Sequence, residues 1–351
     1  MIKIGIVGTG GIAEWHASAF KNNKNSDVIA ACDINSERLN DFCNKFDIKE
    51  RYNNVDELLE KSNIDAVSNT TPDAFHKEIS IKAINKNKHI FCEKPLAENF
   101  HDAKLMCKAL EGKNLINMVN FSYRNSSGYQ ELCKMVKSGK IGNVFHMDAN
   151  YYQSWLTSNY WGNWKEEDKW LWRLSKQHGS NGALGDTGVH IFDFAVNAVG
   201  DIKQIFTDLK TYYDKGEKIG KYTLDANDGF NSLVRFENGA IGTITNTRYA
   251  TGHANSIILE VFCSKGALKV ELDEARSNWS TLKICRNRNI NEMYWETIEC
   301  PKTLNNYENF IKSIKRDLII QPDFSQGAKI QKIIDSCIKS NDNSSWIDIN
   351  N

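Results

Sequence analysis

The fold is decided by the stretch Gly8-Thr9-Gly10-Gly11-Ile12-Ala13, which closes a short apolar run beginning at Ile2 and opens an amphipathic segment. It fits the pattern G-x-G-x-x-A of the loop that joins the first strand of a dinucleotide-binding domain to its first helix. Gly8 allows the tight turn, Gly10 lets the backbone approach a pyrophosphate, and Ala13 allows close packing of helix on sheet. Free N–H groups at the helix start then attract the phosphate charge. The alternative is a glycine turn in an α/β domain that binds no nucleotide.

An acidic residue lies where this fingerprint requires one. Asp33 closes the second predicted strand, 20 residues after Ala13, and can accept hydrogen bonds from the adenosine ribose hydroxyls. Its charge would repel a 2′-phosphate, so the sequence favours NAD over NADP as the cofactor. Arg38 leaves NADP open, because an arginine nearby can hold that phosphate.

Outward from this loop, short apolar runs alternate with amphipathic segments over the first 120 residues. That order is typical of βαβ units around a parallel sheet, and it predicts an α/β Rossmann dinucleotide-binding domain over residues 1–123. Ser36 is expected to cap the second helix. The predicted strands are Ile2–Gly8, Val28–Asp33, Ile64–Thr70, His89–Glu93 and Leu115–Asn120, and the predicted helices are Gly11–Phe20, Ser36–Phe46, Val55–Lys61, His76–Asn85 and Asn99–Glu111.

The pattern changes after Tyr123. Segments with a two-residue period follow, and Glu237-Asn238-Gly239 between two of them is a strong hairpin signal. Residues 124–351 are therefore predicted to form an α+β domain with a large, mostly antiparallel open sheet, which would bind substrate and mediate oligomerisation. Its predicted strands are Val144–Gln153, Gly229–Phe236, Ile241–Arg248, Ser256–Cys263, Ala267–Leu272 and Leu282–Arg286, and its predicted helices are Ser126–Ser138, Ala183–Val199, Asn306–Ile314 and Gln326–Ile338.

Composition excludes several classes of protein. The 351 residues carry 44 acidic and 44 basic side chains and are 41% hydrophobic, so the chain can bury a core but lacks the basic field that binds nucleic acid or an anionic membrane. No apolar run is long enough to span a bilayer, and the start lacks the features of a secretory signal. Nine cysteines without a C-x-x-C pair indicate reduced thiols in the cytoplasm, and no metal site is expected.

Two motifs that contain proline follow predicted strands. Thr70-Thr71-Pro72 ends one strand, with His76 four residues further on, and Glu93-Lys94-Pro95 ends the next. Ligands of open α/β sheets bind at the carboxyl ends of the strands, so both motifs and His76 are expected beside the nicotinamide. Lys94 is then placed to hold a substrate oxygen. The alternative is an ordinary turn, because proline fixes φ and favours an extended residue before it.

A third motif, Gly185-Asp186-Thr187-Gly188-Val189-His190, lies in the second predicted domain. Asp186 and His190 are four residues apart and share one face of a helix. On that face the carboxylate can orient the imidazole and raise its basicity. The alternative is a capping aspartate and a structural histidine.

Tryptophan is concentrated in one loop of the second predicted domain. Five of the nine tryptophans fall between Trp155 and Trp172. Aromatic faces stack on the apolar faces of sugar rings, so a lid that faces a carbohydrate is one interpretation. Packing in a core or at a subunit interface is the other.

These motifs, with the pattern G-A-L-x-D-x-G-x-H-x-x-D around Asp186, together resemble the Gfo/Idh/MocA oxidoreductase family, the group of glucose–fructose oxidoreductase and inositol dehydrogenase. The resemblance covers nearly the whole chain. It implies a dehydrogenase or reductase of CH–OH groups, which transfers hydride between NAD(P) and the secondary hydroxyl or ketone of a sugar, cyclitol or sugar derivative. It also implies a catalytic trio of Lys94, Asp186 and His190, each of which also contacts the substrate.

The resemblance further implies features around the trio. The Lys94–Pro95 bond would be cis, and Glu93 would contact the nicotinamide riboside. Family members commonly form homodimers or homotetramers through the face of the C-terminal sheet. The further residues placed at the cofactor are Asn120 and Arg173, and those placed at the substrate are Arg124 and Trp172.

The sequence leaves the mechanism and the detailed activity open. Either His190 or Lys94 could be the base that takes the hydroxyl proton. The alternative activity is a redox enzyme with tightly bound, recycled NAD that acts on a 3-keto sugar, a glycoside or a nucleotide sugar. A non-catalytic regulator that senses NAD is the third possibility.

Overall fold

The computed structural model describes residues 1–212, 217–273, 280–318 and 322–350. By its internal contacts the chain divides into two units, the first of residues 1–122 and 304–331, the second of residues 123–303 and 332–351. The segment 304–331 thus lies with the N-terminal part of the chain. The domain division predicted at residue 123 does not include that segment and stays a prediction.

The first unit alternates strands and helices, as the sequence predicts. Over residues 1–122, all of which are described, the six strands are parallel and lie in the order third, second, first, fourth, fifth, sixth. This order is that of the dinucleotide-binding Rossmann fold, so the predicted fold class is confirmed. The elements are β1 (Ile2–Val7), α1 (Gly11–Lys21), β2 (Ser26–Cys32), α2 (Ser36–Phe46), β3 (Glu50–Tyr52), α3 (Val55–Lys61), β4 (Ala66–Asn69), α4 (Asp73–Asn85), β5 (His89–Cys92), α5 (Phe100–Ala109) and β6 (Asn117–Val119).

The core on one face of this sheet holds α1 in place. Phe20 of α1 packs edge-to-face on Phe91 of β5, with ring centroids 5.7 Å apart, and Phe310 of the segment 304–331 lies 5.3 Å from Phe91. All three rings are fully buried. Each contributes about 1.5–3 kcal/mol through burial, so the loop before α1 is held by a firmly packed helix.

Asparagine side chains begin several helices of the first unit. Asn35 Oδ1 accepts from the Arg38 N–H at 2.9 Å, and Asn54 does the same for Asp56 at 2.7 Å. The prediction that Ser36 caps α2 is therefore wrong, because Ser36 is the first helical residue and Asn35 is the cap. Both residue types are good caps, so capping preference alone could not choose between these neighbours.

The second unit is dominated by a sheet. In its described part, nine strands pair in one sheet, and all neighbours are antiparallel except one parallel pair. The predicted α+β class with a large, mostly antiparallel open sheet is confirmed. From residue 126 onward the elements of the chain are α6 (Ser127–Lys137), β7 (Val144–Gln153), α7 (Asp168–Leu171), a π-helical turn (Leu184–Gly188), α8 (Val189–Val199), β8 (Ile202–Lys210), β9 (Lys218–Ile219), β10 (Tyr222–Thr223), β11 (Gly229–Phe236), β12 (Ile241–Thr247), β13 (Asn255–Cys263), β14 (Gly266–Asp273), β15 (Ser280–Arg286), α9 (Asn289–Glu292), β16 (Glu296–Ile298), α10 (Asn306–Arg316), α11 (Phe324–Asn343) and β17 (Ile347–Asp348).

The strand order of this sheet is β16-β15-β14-β13-β7-β12-β11-β8-β17. The predicted hairpin joins β11 to β12, which pair antiparallel, and Gly239 in its turn has φ +88°. The parallel pair is β7 with β12. α10 and the first part of α11 are counted in the first unit.

The sequence did not predict β8, and the reason is a break in its period. Ile202 and Ile205 are both buried although they are three positions apart, an odd number. The register against β11 shifts between Arg235 and Phe236, and this irregularity brings both isoleucines inward. A strand with such a shift loses the strict two-residue alternation on which the prediction depends.

Candidate active site

The G-x-G-x-x-A stretch forms the turn from β1 to α1. Gly8 has φ +89°, and a Cβ there would lie 2.9 Å from backbone atoms of Thr70 and Thr71, so only glycine fits. A Cβ built on Gly10 or Gly11 meets no described atom within 4 Å, which leaves this backbone open to a ligand. No described side chain caps α1, and its first N–H groups are available to an anion. The turn therefore fits a dinucleotide pyrophosphate.

The motif after β4 is tied to this turn. Thr70 Oγ1 donates to Gly8 O at 2.7 Å, so the hydroxyl braces the glycine turn. Thr71 Oγ1 donates to Asn69 Oδ1 at 2.7 Å, and Pro72 precedes the first residue of α4. The predicted motif Thr70-Thr71-Pro72 thus lies beside the nucleotide turn.

Asp33 follows β2 and receives bonds from two directions. Its carboxylate accepts from the Thr9 N–H at 2.7 Å and from the Thr9 hydroxyl at 2.8 Å. Arg38 donates to it as a fork, with Nε at 3.0 Å and Nη2 at 2.7 Å. Burial opposes ionisation, but the bonds from Arg38, the Asn35 N–H and Thr9 outweigh it and hold the pKa of Asp33 below its usual range. An arginine committed to Asp33 would have to leave it to hold a 2′-phosphate, so this geometry favours NAD.

Glu93 follows β5 and lies at the centre of a buried network. Its Oε1 accepts from His16 Nε2 at 2.7 Å and from Asn120 Nδ2 at 2.6 Å. Its Oε2 accepts from the backbone N–H of Lys94 at 3.2 Å. Burial opposes the charge, but the bonds from His16 and Asn120 and the charges of His16 and Lys94 outweigh it and lower the pKa of Glu93 to about 2. The carboxylate is therefore ionised and fixes the peptide that carries Lys94.

The sequence analysis assigned no role to His16. His16 lies one turn into α1, is fully buried, and its Nδ1 is 2.7 Å from Ser68 Oγ. The chain separates it from Glu93 by 77 residues, so no local motif could reveal the pair. Its position three residues after Ala13, on the face of α1 that meets the sheet, was the one available signal.

Lys94 and Pro95 complete the motif after β5. The peptide bond between them is cis, which confirms what the family resemblance implies. Lys94 is partly exposed, whereas Glu93 before it and Pro95 after it are buried. The lysine is thus the accessible member of the motif.

His76 does not have the environment of a cofactor contact. Its ring is fully buried in α4, with Nδ1 2.7 Å from Pro95 O and Nε2 2.9 Å from Thr71 O. Both nitrogens are therefore engaged by backbone carbonyls. The ring thus links two turns of the protein, and the contact with the cofactor that the sequence predicts for it stays a prediction.

In the second unit, Asp186 lies in the π-helical turn that leads into α8, and His190 lies in the first turn of α8. The helix predicted over Ala183–Val199 is thus present, but it begins with a wider turn of the kind often found at functional sites. His190 is 5% exposed. Its ring meets the edge of the Tyr123 ring with centroids 4.8 Å apart, and Tyr123 Oη accepts from Tyr151 Oη at 3.0 Å.

Arg248, at the end of β12, is a site residue for which the sequence analysis had no role. Its side chain is fully buried, and Nη2 donates to Asp186 Oδ2 at 3.0 Å. Nη1 donates to Arg173 O at 3.2 Å, and the guanidinium lies 5.0 Å from the centre of the Trp155 ring. Burial lowers the pKa of Arg248, and the charge of Asp186 opposes that shift. Because 62 residues separate Arg248 from Asp186, spacing gave no sign of the pair.

Arg124 has a different environment from the predicted one. Its Nε and Nη2 donate to the two carboxylate oxygens of Asp193, each at 2.8 Å, and both side chains are buried. Two nitrogens are thus committed inside the protein. We propose that Arg124 positions α8 through Asp193, in place of the direct contact with substrate that the resemblance implies.

The tryptophan-rich loop divides into buried and exposed rings. Trp155 and Trp164 are buried in one cluster with Leu171, Leu174 and Leu224, so the packing interpretation holds for them. Trp172 is 38% exposed. Arg173 stacks on Trp172 with its guanidinium 4.6 Å from the ring centre, and its Nε lies 3.7 Å from Asp186.

Across the described residues, no group of three or more His, Cys, Asp and Glu side chains is placed to hold a metal ion. Within the same ranges, no helix has both the length and the apolar character needed to cross a membrane. The nine cysteines, all described, are free thiols.

Comparison with known proteins identifies the family. Residues 2–121 match the model of an oxidoreductase family with an NAD-binding Rossmann fold, and residues 129–269 match the GFO/IDH/MocA C-terminal domain. Levoglucosan dehydrogenase of Pseudarthrobacter phenanthrenivorans is 27% identical over 95% of this chain and 91% of that protein. Myo-inositol 2-dehydrogenase of Thermotoga maritima is 30% identical over 76% of this chain and 74% of that protein.

Solved structures show the same fold. A levoglucosan dehydrogenase in complex with NADH has a TM-score of 0.86 at 24% identity, over 99% of each chain. An oxidoreductase domain protein from Kribbella flavida has a TM-score of 0.85 at 26% identity, also over 99% of each chain. Together with the family models, these matches show that the chain belongs to the GFO/IDH/MocA family of NAD-binding oxidoreductases.

Proposed function

We propose that this protein is an NAD-dependent dehydrogenase of a sugar, cyclitol or sugar derivative. The observation that carries the proposal is the buried, ionised Glu93, which fixes the backbone of Lys94 at the end of a strand in a unit built to bind NAD. The relatives named above as levoglucosan and myo-inositol dehydrogenases support the substrate class. The natural substrate is thus expected to carry a secondary hydroxyl on a ring.

The proposed reaction requires an acceptor for one hydride and an acceptor for one proton. The carbon of the alcohol loses its hydrogen as hydride, the hydroxyl loses its proton to a base, and the products are a ketone, NADH and one proton. When bound, NAD supplies the hydride acceptor. The protein must therefore supply the base and hold the oxygen on which negative charge develops.

We assign the base to His190 and the oxygen contact to Lys94. His190 is nearly buried in the first turn of α8 with its ring against that of Tyr123, and a histidine is the side chain that most often serves as a general base. Lys94 would stabilise the alkoxide, or polarise the ketone in the reverse reaction. The two roles would be exchanged if burial and the charge of NAD lowered the pKa of Lys94 enough for it to act as the base. Turnover of the single variants tests the assignment.

Asp186 would orient the imidazole, as proposed from its spacing. Its carboxylate is itself fixed by the buried Arg248, so a rigid support lies behind the proposed acid–base pair. We further propose cofactor contacts for the nucleotide turn, for Asp33, for Thr70-Thr71-Pro72, for Glu93 and for Asn120, with Arg173 near the cofactor and Trp172 near the substrate. Arg38 would act through Asp33.

The face of the second unit's sheet supports a proposal of self-association. Leu233, Ile241 and Phe262 lie on β11, β12 and β13, with β7 between the last two strands, and are 48%, 53% and 36% exposed. Large apolar side chains on a sheet face favour burial against a partner. We propose a homodimer or homotetramer formed through this face.

The free thiols also favour a reducing compartment, and we propose the cytoplasm.

A substrate panel tests the proposed function. Purified protein is mixed with NAD and, one at a time, with monosaccharides, inositols, anhydrosugars and glycosides, while NADH absorbance is followed. We expect NADH to form with at least one compound, and far less with the Lys94→Met variant. The proposal fails if no compound reduces NAD and the purified protein holds no bound nicotinamide nucleotide. Tightly bound, non-exchanging NAD in active protein would instead favour the recycling activity.

A further inference from the structure

One buried side chain has a bonding pattern that the proposed reaction does not explain. His76 lies between the turn after β4 and the turn after β5, and each ring nitrogen is within hydrogen-bond distance of a backbone carbonyl. A carbonyl oxygen can only accept, so each of these two bonds needs an N–H on the ring. A neutral imidazole has one N–H and the imidazolium has two.

We propose that His76 is a buried imidazolium that ties the carbonyls of Thr71 and Pro95 together and so positions Lys94 for the reaction. This inference rests on the proposed function for the role of Lys94, but not for the charge on His76. The link joins two turns that each follow a strand of the parallel sheet. Neither turn can shift without breaking a charge-assisted bond, which is stronger than a neutral one.

The surroundings of His76 are consistent with a positive charge. Full burial opposes the charge, but the interactions with the Cys92 sulfur, the Asp73 carboxylate and the Pro95 carbonyl outweigh burial and raise the pKa of His76 to about 10. Asp73 begins α4, and Cys92 ends β5. Asp73 and Cys92 therefore lie near the imidazole from two elements, the helix α4 that carries His76 and the strand β5.

The other fully buried histidine of the first unit provides a contrast. His16 Nδ1 faces the Ser68 hydroxyl, and its Nε2 faces the Glu93 carboxylate. A hydroxyl can donate as well as accept, so the contacts of His16 do not by themselves require an N–H on both ring nitrogens. Of these two histidines, only His76 has two partners that can accept a hydrogen bond but cannot donate one.

The charge is tested first, by nitrogen NMR of the imidazole rings in wild-type protein. The full chain is labelled with ¹⁵N and ¹³C, and the His76 signals are assigned through its own Cβ. We expect both ring nitrogens of His76 to be protonated at pH 8.5. A His76 ring with one bare nitrogen at that pH overturns the proposal, whatever the substrate of the enzyme proves to be.

The positioning role is tested by the variant His76→Gln, with His101→Gln as the matched control because His101 is exposed on α5. Glutamine can donate from one nitrogen only, so one turn is released. We expect kcat to fall by between about 10- and 100-fold, the scale of a misplaced catalytic group, while the control stays within about twofold. If His76→Gln is less stable but keeps the wild-type kcat, the positioning role is wrong. If His76→Gln does not fold, the Asp73→Asn variant takes its place, because it keeps the histidine and removes one nearby negative charge. This variant should lose the His76 imidazolium at a lower pH than wild type. A His76 titration unchanged from wild type overturns the proposal.

Discussion

The two units support their site residues in different ways. In the first unit, the Glu93 carboxylate accepts hydrogen bonds from His16, from the Asn120 amide and from the backbone N–H of Lys94. Glu93 and Asn120 each follow a strand of the same parallel sheet. In the second unit, Asp186 is held by the fully buried Arg248, which directly follows β12 and lies 62 residues further along the chain. The first arrangement surrounds one buried charge with hydrogen-bond donors, whereas the second pairs a fully buried guanidinium with a partly exposed carboxylate.

This difference predicts how each region fails when a partner is removed. When the charge of a carboxylate with several donors is removed, its hydrogen bonds change from charge-assisted to neutral, and each loses part of its strength. The fully buried Arg248 donates to Asp186 Oδ2 and to Arg173 O, so its removal takes a donor from a charged and from a neutral acceptor at once. The second unit should therefore be the more sensitive to a single substitution.

The largest effect is expected for Arg248→Met. The substitution keeps much of the side-chain volume but removes the bonds to Asp186 Oδ2 and to Arg173 O, so the free energy of unfolding should fall by about 2–4 kcal/mol. Urea unfolding of both proteins measures the difference. The control is Arg286→Met, at an exposed arginine that ends β15, where a change below about 0.5 kcal/mol is expected. Equal effects of the two substitutions would contradict the supporting role of Arg248.

A smaller effect, with a distinct pH dependence, is expected for Glu93→Gln. The substitution removes charge-assisted bonds from His16 and Asn120, so the free energy of unfolding should fall by about 1.5–3 kcal/mol at pH 7. The pKa of Glu93 falls from 4.5 to about 2 on folding, so its contribution is fully present above pH 4.5 and is lost as the pH falls toward 2. The difference between wild type and variant should thus narrow between pH 4.5 and 3.

The control for this experiment is Glu98→Gln, at an exposed residue in the same connection. Its difference from wild type should be small at every pH. A Glu93→Gln difference that stays constant down to pH 3 would show that the carboxylate of Glu93 does not carry the stability attributed to it.

Sequence predicted the parts of the site that are local in the chain. Gly8 and Asp33 are revealed by their spacing around one strand, turn and helix, because the dinucleotide imposes that spacing. Lys94 and His190 are revealed by short motifs. The sheet classes of both units follow from the period of the apolar residues.

What sequence could not predict depends on contacts between distant segments. The pairs His16–Glu93 and Asp186–Arg248 are 77 and 62 residues apart, and only the folded sheets bring their members together. His76 and Arg124 show the complementary case, and the ligand contacts predicted for them stay predictions. Their motifs were recognised, but their contacts are with backbone carbonyls and with Asp193, which no spacing specifies.

The central claim is that NAD binding and proton transfer are separate tasks of different residues, with Lys94 and His190 serving the second. The most direct test measures NAD affinity and turnover together in the variants Lys94→Met and His190→Gln, on the best substrate of the panel. We predict an NAD dissociation constant within about threefold of wild type and a loss of turnover of about 10²–10⁴-fold. Undiminished turnover in both variants would contradict the account.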